Sequence, residues 1–227
     1  MIRAPNVTDT YKIVYKNARL SVRRVELYEP EISRVENSLA RGKNVNIYFT
    51  RTDSRAFQIP KGMMDFSASN VFTNRLPQRV FLGVQSHLST GSGAWSNDPM
   101  LFPAKQYNVS YVQFYADDLN LLNRPYEPEW NVDMFNRSYM ELLRTCRCLQ
   151  SGKETAIAYN DFKNDYGLFG LDLSPDKTDM SESRFGSLGC EIKFSEMLEE
   201  AVSVVVIGEF KSVLCIDDDG DVNVHDL

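Results

Sequence analysis

Short alternating segments, broken by proline, glycine, asparagine and aspartate corners, run through this chain and constrain its fold more than any other feature. Phe57-Gln58-Ile59-Pro60-Lys61-Gly62 alternates apolar and polar residues, then stops at an X-Pro step followed by a glycine turn. Residues 70–80 repeat the theme, with Pro77 leading into a nearly continuous apolar strand over 79–85. Period-two alternation also marks residues 18–23, the trio Val45, Ile47 and Phe49, and residues 108–115. Ala116-Asp117-Asp118 reads as a hairpin turn into 119–124. Toward the end, strands are expected over 166–173, 188–194, 201–210 and 212–216, the last turning at Asp219-Gly220 into 222–224.

Two helices interrupt this pattern. Glu29-Pro30 opens the first, with proline at the favoured first position. Ile32, Val35 and Leu39 share one face and Gly42 closes it. The second is expected over 131–150, where Phe135, Tyr139, Leu142, Leu143, Cys146 and Leu149 form a stripe that packs on a sheet. Residues 195–200 read as a short helical turn capped by Ser195. About ten short strands at this spacing, without the alternating βα rhythm of a parallel sheet, predict an all-β antiparallel jelly-roll sandwich with two inserted helices. Residues 1–227 are read as a single domain.

Composition permits such a core. The chain has 227 residues and a mass of 26.0 kDa. Area scaling for that mass gives roughly 10,500 Å² folded against roughly 37,700 Å² unfolded, so staples are not required. The longest apolar run, 202–207, is too short to span a bilayer. No apolar N-terminal segment with a cleavage site stands out, so no secretion signal is expected, and the sequons at Asn6, Asn108 and Asn136 are read as chance matches. Net charge is −6 but uneven. Residues 1–60 carry 11 Lys and Arg against 6 Asp and Glu, while residues 61–227 carry 14 against 25. No concentrated basic stripe marks a nucleic-acid groove.

Residues that carry chemistry are sparse. The only histidines are His87 and His225. Ser92, in the small-residue stretch 89–95, lacks the spacing and strand–turn–helix setting of a nucleophile elbow. Cys146 and Cys148 form a C-x-C without a second pair or a neighbouring histidine, and are read with Cys190 and Cys215 as idle thiols. The run Asp217-Asp218-Asp219-Gly220-Asp221 departs from calcium-loop spacing, because valine stands at the sixth position; it reads as a hairpin tip. The pairs Asp117/Asp118 and Glu199/Glu200 fall at turns. No catalytic residue, metal site or cofactor is expected.

Six segments, in order, resemble one family. They are Arg23-Arg24-Val25; Ile59-Pro60-Lys61-Gly62; Leu76-Pro77-Gln78-Arg79-Val80 with Gly83; Asn97-Asp98-Pro99-Met100-Leu101-Phe102; Gly167 through Asp172 to Pro175-Asp176; and the closing strands 186–194 and 201–210. Together they are similar to the C-terminal jelly-roll half of the double jelly-roll major capsid proteins of Maverick/Polinton-type double-stranded DNA elements. Asp98 departs from that family's Asn-Pro-Phe loop, and its members are about twice this length. The resemblance implies a structural role for Pro60, Gly62, Pro77, Gly83, Pro99, Asp172 and Pro175. It further implies the second of two jelly rolls, a homotrimeric capsomer tiling an icosahedral shell, a minor penton protein as a further partner, and residence in a virion capsid after an intracellular stage. The alternative reading of the residues is a monomeric jelly-roll binding module of lectin or receptor type.

Overall fold

The computed structural model describes residues 16–87, 101–149, 155–174, 184–217 and 219–226. The chain divides into two compact units, one of Thr50–Lys211 and one of Met1–Phe49 with Ser212–Leu227. Among the described residues there are nine strands: β1 Val45–Ile59, β2 Asp65–Phe72, β3 Arg79–Ser86, β4 Val109–Ala116, β5 Leu119–Asn120, β6 Phe169–Asp172, β7 Leu188–Phe194, β8 Val202–Ile216 and β9 Val222–Asp226. The helices are α1 Glu29–Leu39, α2 Asn136–Thr145 and α3 Tyr159–Asn164, with a 3₁₀ turn at Trp130–Val132.

The first eight strands form two sheets, ordered β1-β8-β3-β6 and β2-β7-β4-β5. The first strand thus pairs with the eighth, the second with the seventh, the third with the sixth and the fourth with the fifth. The result is one long hairpin that has rolled up, so that β8 also meets β3 and β7 also meets β4, all antiparallel. Eight strands wound in this way are a jelly roll.

Alternation puts one face of each sheet inside. Val80, Leu82 and Val84 of β3 and Val202, Val204 and Val206 of β8 are fully buried. The register sets Leu82 opposite Val206 and Val84 opposite Val204. From the second sheet come Val112 and Phe114 of β4 and Leu188, Cys190 and Ile192 of β7, also fully buried and also in register. Each such side chain contributes about 1.5–3 kcal/mol by leaving water.

Tyr126 joins the two sheets. Its backbone exchanges two 2.9 Å hydrogen bonds with Val112, extending the second sheet. Its hydroxyl donates to the carbonyl oxygen of Gly170 in β6, at 2.7 Å. Nearby, the Trp130 indole donates to the Val109 carbonyl oxygen at 2.7 Å. Phe135 stacks on Trp130 and on Phe162, which seats α2 and α3 on an aromatic cluster. Of the stripe expected on the second helix, Phe135 and Leu142 enter the core and Tyr139 and Cys146 pack against it, while Leu149 is 41% exposed.

Several expectations need correction. Residues 18–23 are not a strand. No described residue pairs with them in a ladder, and Leu20 and Val22 are 90% and 70% exposed. Alternation shows what a segment can bury, while a strand also needs a neighbour. Residues 195–200 are not helical. Long-range backbone bonds hold them instead: Ser195 N–H to Asn108, Leu198 N–H to Met63, and Gly62 N–H to Leu198. The helix expected over 131–150 is confined to Asn136–Thr145, since Asp133 takes a left-handed φ of 58° after the 3₁₀ turn. The strand expected over 119–124 is only Leu119–Asn120, whereas 201–210 and 212–216 are one strand, β8. α3 lies beyond the two helices expected, as does most of β2.

In the smaller unit, α1 has its proline at the N-terminus, and Gly42 follows it at φ 70°. None of its residues is buried. Ser212–Ile216 of β8 pairs with β9 across the turn at Gly220.

Removing the Tyr126 hydroxyl leaves the Gly170 carbonyl unpaired, so Tyr126→Phe is expected to lower unfolding free energy by about 1–2 kcal/mol. Burial, reinforced by the Glu141 carboxylate, holds this hydroxyl well above its ordinary value of 10.0. The folded state therefore keeps the proton that the unfolded state loses. The contribution is complete below pH 10 and falls as pH rises past it. Denaturant titrations between pH 8 and 11 should show a steep alkaline loss in the parent and a shallower one in Tyr126→Phe.

Candidate functional site

The residues of the sequence motifs are distributed around the jelly roll, and three motifs converge on one row of the first sheet. Arg79, at the start of β3, stands opposite Glu209 of β8 on one side and Asp172 of β6 on the other. Its guanidinium forms a 2.5 Å ion pair with Glu209 Oε2. The same group reaches the Thr145 carbonyl oxygen at 3.3 Å, at the last turn of α2. A cation there meets the negative end of the helix dipole. Arg79 and Glu209 keep only 23% and 22% of their side-chain surface exposed, so solvent screens the pair incompletely.

Asp172 serves the chain rather than Arg79. Its carboxylate accepts from the Ser174 N–H at 3.0 Å and from the Ser174 hydroxyl. This turn ends β6, with Leu173 N–H still bonded to the Gln78 carbonyl oxygen at 2.7 Å. Pro77 is buried between the Leu76 and Gln78 amides, which donate to Arg184 and Glu209. Pro60 and Gly62 make the corner after β1, where Gly62 adopts φ 86°. Gly83 admits close packing on the outer face of β3: a Cβ there would lie 2.4 Å from the Phe102 ring and 2.7 Å from Leu168. Pro99 and Pro175 lie outside the described residues, as does the stretch containing Ser92.

His87 Nδ1 lies 3.1 Å from Ser203 Oγ, a Ser–His contact between residues 116 positions apart. Ser203 is only 3% exposed, however, so its hydroxyl is out of reach of a substrate carbonyl. Cys190 is fully buried, and desolvation pushes its thiol up to about 12. Burial also raises Cys146, while Cys148 points its sulfur at the Cys146 carbonyl oxygen. Among the described residues no group of three or more His, Cys, Asp or Glu side chains could hold a metal ion. No helix there is long and apolar enough to cross a membrane.

The described residues line at least two concavities. One, of about 470 Å³, is lined by Tyr107, Asn108 and residues 196–200. In it Tyr107 donates to Glu200 Oε1 at 2.7 Å and Asn108 Nδ2 donates to Glu196 Oε2 at 3.1 Å. Burial and Glu200 hold the Tyr107 hydroxyl above its ordinary range, so it remains protonated at neutral pH. The other, of about 430 Å³, lies between Tyr139, Leu143, Cys148 and Ile157.

The fold and this set of structural contacts define a jelly-roll protein. No family model matches the chain. It is 26% identical to an uncharacterized protein of Caenorhabditis elegans over 172 residues, 75% of this chain and 38% of that protein. Among solved structures, a chain of the Sputnik virophage superposes with a TM-score of 0.51 at 10% identity, covering 81% of this chain and 39% of that one. The mavirus major capsid protein gives a TM-score of 0.40 at 10% identity, over 81% and 41%. The chain thus spans about two fifths of the length of these proteins. The Sputnik likeness is one of fold, and it is the fold that the resemblance to Maverick/Polinton-type capsid proteins implies.

Replacing Arg79 by Met strands the Glu209 carboxylate in a mostly buried position. Urea unfolding of Arg79→Met should show a loss of about 2 kcal/mol, below the roughly 3–5 kcal/mol of a fully buried pair because about a fifth of each side chain faces water. Adding Glu209→Gln should recover part of that loss, whereas additive losses would mean that the two residues do not interact.

Proposed function

We propose that the chain is a structural subunit of a capsid-like shell. The observation that carries this reading is the placement of the family-like segments. The Leu76–Val80, Asp172 and closing-strand motifs, distant in sequence, meet in one row of a jelly roll, where Arg79 of β3 pairs with Glu209 of β8. Motifs of that kind specify architecture rather than turnover. The sandwich of eight antiparallel strands and the Sputnik likeness support the same reading.

In this account the chain is one jelly-roll domain, the second of two in a longer protein. It forms homotrimeric capsomers that tile an icosahedral shell, with a minor penton protein at the vertices. The subunit is made inside a host cell and ends in the virion capsid. Pro60, Gly62, Pro77, Gly83, Pro99, Asp172 and Pro175 are structural determinants of the roll, and the protein is not an enzyme.

Multi-angle light scattering of the purified protein, as this chain and with any preceding jelly roll restored, tests the reading. The expected mass is three subunits or more. A strict monomer at every concentration, in both forms, would contradict it and favour a monomeric binding module.

A further inference from the structure

Two surfaces of this chain match each other in chemistry although neither is matched by its described surroundings. The first is the corner after β1. Met63 and Met64 are 44% and 41% exposed there, and Met197 is 68% exposed. The backbone bonds from Gly62 to Leu198 and from Leu198 to Met63 hold the two methionine-bearing segments side by side. Exposed methionines are soft, adaptable contact groups. Glu196 and Glu199 stand exposed beside them, and the cleft of about 470 Å³ opens at the same place.

The second surface is the segment Arg19-Leu20-Ser21-Val22-Arg23-Arg24-Val25. It has no regular secondary structure, and Leu20, Val22 and Val25 are 90%, 70% and 68% exposed. Arginines flank every apolar residue in it. The charge imbalance along the chain has the same sense, with a basic first quarter and an acidic remainder.

We propose that residues 19–25 of one copy dock on the methionine corner of a second copy. Leu20, Val22 and Val25 cover the methionines, and Arg19, Arg23 and Arg24 meet the Glu196 and Glu199 carboxylates. The contact is heterologous, head to tail, and therefore closes into a ring if the rotation between copies permits. It rests on the reading of the chain as a self-associating subunit and names one of that subunit's contacts. An exposed apolar segment gains affinity from covered area, while the arginine–glutamate pairs set register and speed encounter.

Charge reversal tests it on the full chain by sedimentation velocity, over a range of protein and salt concentrations. Arg23→Glu and Glu199→Arg are each expected to weaken self-association about tenfold, and together to restore it. Association should also weaken as salt rises. Both glutamates at the corner are exposed, so unfolding of the variants is readily excluded by their unchanged denaturation midpoints. If the parent associates and neither reversal alters it, this contact is wrong while the shell reading stands. If the parent is monomeric throughout, both fall.

Discussion

The pairing of the last strands with the first is the constraint on which this molecule rests. β7 and β8 each fill the middle of a sheet, flanked on both sides by strands from much earlier in the chain. Until they arrive, β2 and β4 have no common neighbour, nor do β1 and β3. The buried valines of β8 and the buried Leu188, Cys190 and Ile192 of β7 form the two opposing walls of the core. Local structure cannot be completed without these long-range pairings, which is why slow, cooperative folding is expected of such a topology.

Charge and polar contacts are placed where they reinforce that pairing. Arg79 lies between strands contributed by the middle and the end of the chain and ties them to the end of α2. Tyr126 crosses from one sheet to the other through a single hydroxyl. Glycine at position 83 lets Phe102 and Leu168 lie directly on the outer face of β3. The groups with chemical potential, Ser203, Cys190 and Tyr107, are buried or engaged. Among the described residues these contacts serve the architecture of the roll.

Much of this was legible in the residues. β4 followed from alternation and β3 from a nearly continuous apolar run, while β7 was expected over 188–194 and β8 as two segments, 201–210 and 212–216. Pro30 and Gly42 marked the ends of α1, and Gly62 and Gly220 marked turns that need positive φ. What escaped depended on partners. Residues 18–23 alternate as a strand does, yet lie exposed. Residues 195–200 carry helix formers but answer to Met63 and Asn108, so distant backbone bonds overrode local propensity. α3 is six residues long, too short to show a period. The meeting of Arg79, Asp172 and Glu209 needed the strand register, which no single segment contains. Tyr126 and Trp130 were visible only as aromatics with a polar tip.

A shell subunit differs from any other jelly roll in one respect: its outer surfaces are complementary to copies of itself. Electron microscopy of the full-length protein at high concentration addresses that directly. The account predicts closed particles built from threefold capsomers, with the described jelly roll fitting each subunit's density. A field of dispersed single molecules under every assembly condition, from protein shown to be folded, would contradict it.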